Sequence, residues 1–258
     1  QRLFNVRDGE LRISFFMQLY VFLLITVLLI VKPTVTALFL SNLGTDKLPY
    51  GFILVAITAV ITSYFYNKAI RNFSLRKTII STLLFFSLSF LLLSIGIHFK
   101  FLQDGLLYVY YVLISLFAVV TTSQFWILAN MVFNSREAKR LFGFIGAGAI
   151  AGGIFGGYLT SLIVKSLGTK FAIGIAALFI LACIPLVQYI WKLRLRSISV
   201  YSRRKNLHLA ENSQQSAFKL ILKSKHLIYI ATSVGVGVLI AKLVDYQFSD
   251  FAHRAIPS

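Results

Sequence analysis

Carboxylates are what this sequence has least of. Asp and Glu number 8 in 258 residues, and residues of either charge make up 13%, about half the ~25% of an ordinary soluble domain. The only glutamates are Glu10, Glu137 and Glu211, so no carboxylate pair is spaced for acid–base hydrolysis. The histidines at 98, 208, 226 and 253 are scattered and make no HExxH-type ligand spacing. The single cysteine, Cys183, sits in an apolar run, which excludes a disulfide framework and a cysteine metal site. Ser123 and Ser161 lie in apolar helical runs without a GxSxG turn. These absences leave no enzyme motif and imply neither a metal nor a cofactor. No stretch alternates polar and apolar residues in the manner of a barrel strand.

What fills the chain instead is apolar: 58% of residues are hydrophobic and the mean hydropathy is +0.81. Apolar spans run over about 13–40, 49–66, 78–99, 106–133, 141–164, 170–191 and 227–248, each near the ~20 residues that a membrane-crossing helix needs. The fold class this predicts is all-α, a polytopic transmembrane helix bundle. The first span is no secretory signal, because its apolar run from Ile13 to Val31 exceeds the usual core of about 7–15 residues. It continues past Lys32-Pro33, and Pro33 cannot donate to the carbonyl of Leu29, so a kink is expected there.

The net charge of +18 would suit nucleic acid if it lay on a soluble domain, but the cations sit between apolar runs and no nucleic-acid partner is expected. Nineteen of the 26 Lys and Arg residues fall in the N-terminal segment and in the loops after the second, fourth and sixth spans. Five fall in the alternate loops and the tail, and Lys32 and Lys242 lie inside spans. The positive-inside rule then puts the N-terminus and loops 67–77, 134–140 and 192–226 in the cytoplasm. The basic loop 192–226 favours the anionic leaflet, so membrane lipids are partners; its later part, Ala217–Lys225, reads as a short surface helix. Three parts follow: six helices over 1–191, the loop 192–226, and a seventh helix with the start of a second half over 227–258. Because the chain begins with Gln1 and stops about one helix into that second half, it reads as a fragment or a truncated product.

Thr121–Ser161 is the stretch around which the rest is arranged. Gly148, Gly152 and Gly156 repeat every four positions, as do Gly153 and Gly157. In a soluble helix each glycine costs about 1 kcal/mol against alanine. In a bilayer the same spacing makes a flat face for a second helix backbone. The competing reading, a phosphate loop built on Gly146-x-Gly148 with Gly152, lacks a preceding strand.

Polar groups inside spans are costly in lipid and face a cavity or another helix. Lys32 reads either as a lysine snorkelling to the interface or as a cation in a central cavity suited to an anion. Gln124 and Asn130 belong to the polar set of the fourth span, with Ser115, Thr121, Thr122, Ser123 and Trp126. Trp126 and Asn130 share a helix face, and Asn130 reads either as a cavity residue or as an interhelical hydrogen bond. Lys242 and Asp245 can pair on one face of the seventh span, followed by Gln247; an ion pair at the membrane boundary and a gate or substrate contact both fit. Arg136, Glu137 and Arg140 have helical spacing, consistent with a cytoplasmic gate latch or an ordinary positive-inside loop.

Six helices, a long basic loop and further helices is the layout of one half of a major-facilitator-type carrier and its link to a second half. Phe125-Trp126, Ala129-Asn130, the run Arg136-Glu137-Ala138-Lys139-Arg140, Gly143 and Gly146-Ala147-Gly148 resemble the ATP/ADP antiporter family, the nucleotide exchangers of plastids and intracellular bacteria with their bacterial relatives. Phe4-Asn5-Val6-Arg7, Lys32-Pro33 with Ala37-Leu38-Phe39, Leu48-Pro49-Tyr50 and Asp245-Tyr246-Gln247-Phe248 also resemble those relatives. The resemblance implies a major-facilitator-like carrier of about twelve helices in the bacterial inner membrane, moving a small anionic solute such as ATP or ADP by alternating access. Matched on Thr34 and Leu38, an arginine of the plastid exchangers falls at Lys32 and a lysine at Val35. A carrier of another solute and a non-transporting membrane scaffold are the rival readings. Oligomeric state is not legible.

Overall fold

A computed structural model of the chain describes residues 10–96, 103–212 and 224–255. Its described elements are all helical. They are α1 (Glu10–Leu43), the 3-10 turn Thr45–Lys47, α2 (Leu48–Asn72), α3 (Leu75–Gly96), α4 (Gln103–Val132), α5 (Ser135–Leu167), α6 (Thr169–Asn212) and α7 (Lys225–Ala255). Among the described residues, seven helices are long and apolar enough to cross a membrane. With 34 residues, α1 is about 51 Å long at 1.5 Å per residue, well beyond the ~30 Å of a hydrocarbon core.

The chain divides into two units, Gln1–Arg194 and Leu195–Ser258. In the first, α1 and α4 are the inner helices. Ile13, Met17, Tyr20, Leu24, Val27 and Ile30 recur every three or four residues along α1 and are buried. Tyr20 meets Phe125 of α4, with ring centroids 6.0 Å apart, and Phe39 meets Tyr108 at 5.1 Å. One number rises as the other falls, so α1 and α4 are antiparallel. On its other side α4 stacks Phe117 against Phe86 and Phe90 of α3 at 5.2 and 5.5 Å, and Tyr110 donates to the carbonyl of Leu93. Ser87 of α3 donates to the carbonyl of Ala177 of α6 at 3.1 Å, and Phe16 of α1 lies against Tyr189 of α6 at 4.4 Å.

The tightest seam joins α1 to α5. A Cβ placed on Gly148 would lie 2.6 Å from the carbonyl oxygen of Gln18, one on Gly152 would lie 2.4 Å from that of Phe22, and one on Gly156 would lie 2.9 Å from that of Thr26. Both sets of numbers climb by four, so the two helices are parallel and in register. Thr26 adds a hydrogen bond from its hydroxyl to the carbonyl of Gly152 at 3.2 Å. The second glycine row is not used this way: Gly153 has only Ile25 at 3.9 Å, and Gly157 faces open space.

Several expected loops are shorter than the hydropathy implies. Of the loop expected at 67–77, only Phe73 and Ser74 lie outside α2 and α3. The expected loop 134–140 is the start of α5, where Asn134 precedes the helix and its backbone N–H donates to Glu137 Oε2 at 2.9 Å. That contact is half of a capping box. The expected loop from 192 remains helical to Asn212. Polar residues end a membrane span without ending a helix, and neither Gly nor Pro interrupts 192–212. The surface helix expected at 217–225 falls largely outside the described residues. At the opposite end the turns are made by Gly44 and Gly168, with φ of +77° and +88°, a backbone region that side chains disfavour. In the second unit, α7 is an apolar helix exposing Tyr229, Ile230, Val234 and Leu239.

Gly152→Ala should lower the melting temperature of the purified protein in detergent, because overpacking of about 1–3 kcal/mol outweighs alanine's helix propensity. Gly157→Ala, in open space, should leave it unchanged or raise it. Equal stability of the two variants would mean that α1 and α5 do not approach this closely.

Candidate functional site

Lys32 is exposed on α1, one residue before Pro33, and α1 stays helical through that proline. The carbonyl of Leu29, which Pro33 cannot serve, instead receives the hydroxyl of Thr160 from α5 at 3.0 Å. On α4, Thr122, Trp126 and Asn130 recur every four residues and are all exposed. Trp126 also borders a small apolar cleft with Val21, Ala129, Phe142, Ile145 and Ala149. Its volume of about 60 Å³ is far below the ~300 Å³ at which ligand sites begin, so by itself it holds no solute of nucleotide size.

Gln124 is not on that face. It is fully buried, and its amide nitrogen donates to the hydroxyl of Thr82 in α3 at 2.7 Å. In this structure its amide joins α3 to α4, because a carboxamide enclosed by apolar helices finds its partner within the protein. Lys32 and Asn130 also do not converge. The Tyr20–Phe125 contact sets the two helices' relative level. Lys32 lies twelve residues beyond Tyr20 and Asn130 five beyond Phe125 in the opposite direction, so the two are about 25 Å apart along the bundle at 1.5 Å per residue.

At the Glu10 end, the residues read as a latch divide their work. Arg136 is exposed, and Glu137 is turned back on the start of its own helix. Arg140 reaches across to α1, placing its terminal nitrogen 2.6 Å from Glu10 Oε2, with both side chains at most one-fifth exposed. The α5 basic run thus clasps the beginning of α1. In the second unit, Lys242 Nζ lies 3.5 Å from Asp245 Oδ2 within α7, and Gln247 is exposed.

A bundle whose described elements are helices, with long apolar spans, a helix–helix seam of glycines and sparse polar groups, is suited to moving solutes across a membrane. The sequence matches the Major Facilitator Superfamily over residues 14–249. The chain belongs to this superfamily. It is a multi-pass membrane transporter of the major-facilitator type, in contact with lipid and acting on a small solute. No curated protein and no solved structure matches the chain.

Three features of this major-facilitator unit escaped sequence reasoning, and two of them were open to it. Asn134-x-x-Glu137 is a helix-start signal. Thr160 continues the Gly148/Gly152/Gly156 row by one further step of four, which places it on the face that meets α1. The Glu10–Arg140 pair carried no local signal, since its members are separated by most of the first unit.

Glu10→Gln and Arg140→Gln should each lower the melting temperature, and the double variant should be less destabilised than their sum. A coupling of about 0.5–3 kcal/mol is expected for contacting charged partners. Strict additivity in the cycle would show that the clasp contributes nothing.

Proposed function

We propose that this transporter carries an anionic solute by alternating access, as a bacterial inner-membrane relative of the ATP/ADP antiporters, with an adenine nucleotide as the first solute to test. The observation that carries the proposal is Lys32. It is the one cation placed away from the span ends in the six-helix part, and those spans enclose no carboxylate. A lysine in a low-dielectric interior attracts a phosphate far more strongly than one in water, and Lys32 is exposed on α1 instead of packed into the core. The residues from Phe125 to Gly148 that resemble the antiporters support the same reading. So does the exposed Trp126, whose ring offers a stacking surface. Asn130 is a polar contact at the other level of the pathway, and Lys242, Asp245 and Gln247 are the corresponding candidates in the second unit.

The N-terminus is cytoplasmic in this proposal, so the Glu10–Arg140 clasp lies at the cytoplasmic end and Arg136 faces the cytosol. The basic asymmetry between alternate loops supports this orientation.

Reconstituted full-length carrier with Lys32→Gln should show weaker apparent affinity for labelled nucleotides or for smaller anions than the parent, at equal insertion. Unchanged affinity for every transported anion would reduce Lys32 to an interface residue. For orientation, Ser74→Cys should react with an impermeant thiol reagent only from the cytoplasmic side. The native Cys183 is buried and contributes little background. Labelling of Ser74→Cys from outside would invert the topology.

A further inference from the structure

We infer that Thr160 is a releasable latch between α5 and α1, holding the turn of α1 that leads into Pro33. The inference rests on backbone chemistry and does not depend on which solute is carried. Pro33 has no N–H, so the carbonyl of Leu29 loses the partner that an α-helix would supply. Leu29 is 39% exposed, on a surface where lipid offers no replacement donor. Thr160 Oγ1 stands 3.0 Å from that carbonyl and 2.7 Å from the carbonyl of Gly156 in its own helix.

A hydroxyl has one proton for these two acceptors. Residue 156 already accepts the backbone N–H of residue 160 within α5, so its need for a second donor is small. Leu29 is the acceptor left short, and the proton stabilises the structure most when it points across to α1. Gly156 is what permits this reach: a Cβ there would lie 3.0 Å from the Leu29 Cβ, so any side chain would push the helices apart and carry the hydroxyl out of range.

The same geometry makes the latch releasable. If α1 bends at Pro33, the hydroxyl turns to Gly156 and no donor is stranded on α5. The broken state leaves the Leu29 carbonyl bare, so the latched state is the favoured one in lipid. Latched, the turn bearing Lys32 is held to α5; released, it is free to move.

Spin labels at Ala37→Cys, exposed beyond Pro33, and at Ile154→Cys, exposed on α5, report the distance between the two segments in lipid nanodiscs by pulsed electron resonance. Thr160→Val, which keeps shape and removes the donor, should broaden or shift the distribution. Thr160→Ser should restore it. In a Pro33→Ala background, where the backbone again supplies a donor to Leu29, Thr160→Val should have no effect. An equal change in both backgrounds would make Thr160 a packing residue only, and no change in either would show that the contact does not hold α1. Either outcome overturns the inference. Melting temperatures of the same set give a second readout, expected to show the loss on Thr160→Val only when Pro33 is present.

Discussion

In a bilayer a peptide group that loses its helical partner has no water to turn to, and the joining of α1 to α5 follows from that constraint. The hydrophobic effect gives two apolar helices little reason to associate inside hydrocarbon. What remains is close packing and hydrogen bonding, and both need backbones within reach of each other. The row Gly148, Gly152, Gly156 supplies the reach. Where a Cβ would stand, a glycine Cα–H points at the carbonyl oxygens of Gln18, Phe22 and Thr26 in turn, each a weak contact of about 0.5–1 kcal/mol. Once the helices are this close, Thr26 and Thr160 can bond across the seam. The hydroxyl contacts depend on the glycines, not the reverse.

This seam divides α1 in two. From Glu10, clasped by Arg140, to Leu29, the helix is bound to α5 at nearly every turn. Beyond Pro33 it is held by other neighbours, such as Phe39 against Tyr108 and Tyr111. A carrier that alternates its access needs parts that move together and places where they part. The parallel α1–α5 pair fits the first need over about 30 Å of its length, and the Pro33 turn fits the second. The buried Gln124–Thr82 bond, the Phe86–Phe90–Phe117 ring cluster and the Tyr110 hydroxyl on the Leu93 carbonyl bind α3 to α4 in a different way, through large side chains instead of close backbones.

The spans were legible because membrane crossing is a property of average hydropathy, which needs no knowledge of neighbours. Helix ends were less so: hydropathy marks where lipid stops, while caps and glycines mark where the helix stops, and at Asn134 and Asn212 these differ. Which way each side chain faces was hardly legible at all. In a soluble helix, polarity separates the inner face from the outer one. Around α1 both the lipid face and the core face are apolar, so no period distinguishes Met17, fully buried, from Phe15, half exposed. The direction in which Gln124 faces was hidden for the same reason. A polar residue in a span announces a partner, but the sequence does not say whether the partner is a solute or, as here, the next helix. Glycine was the exception, since its spacing reports how near a second backbone lies.

The separation of Lys32 and Asn130 bears on how such a carrier would use them. Both are exposed, yet about 25 Å of helix rise lies between their levels. A small solute cannot touch both at once. With α1 and α4 antiparallel, Asn130 sits toward the Glu10 end and Lys32 toward the other, with the exposed Trp126 and Thr122 leading away from Asn130 along the same face of α4. Two polar groups placed this way serve successive positions along a path better than one binding pocket. In the proposed mechanism, Lys32 would grip its anion from the same turn of α1 that Thr160 of α5 holds through the Leu29 carbonyl.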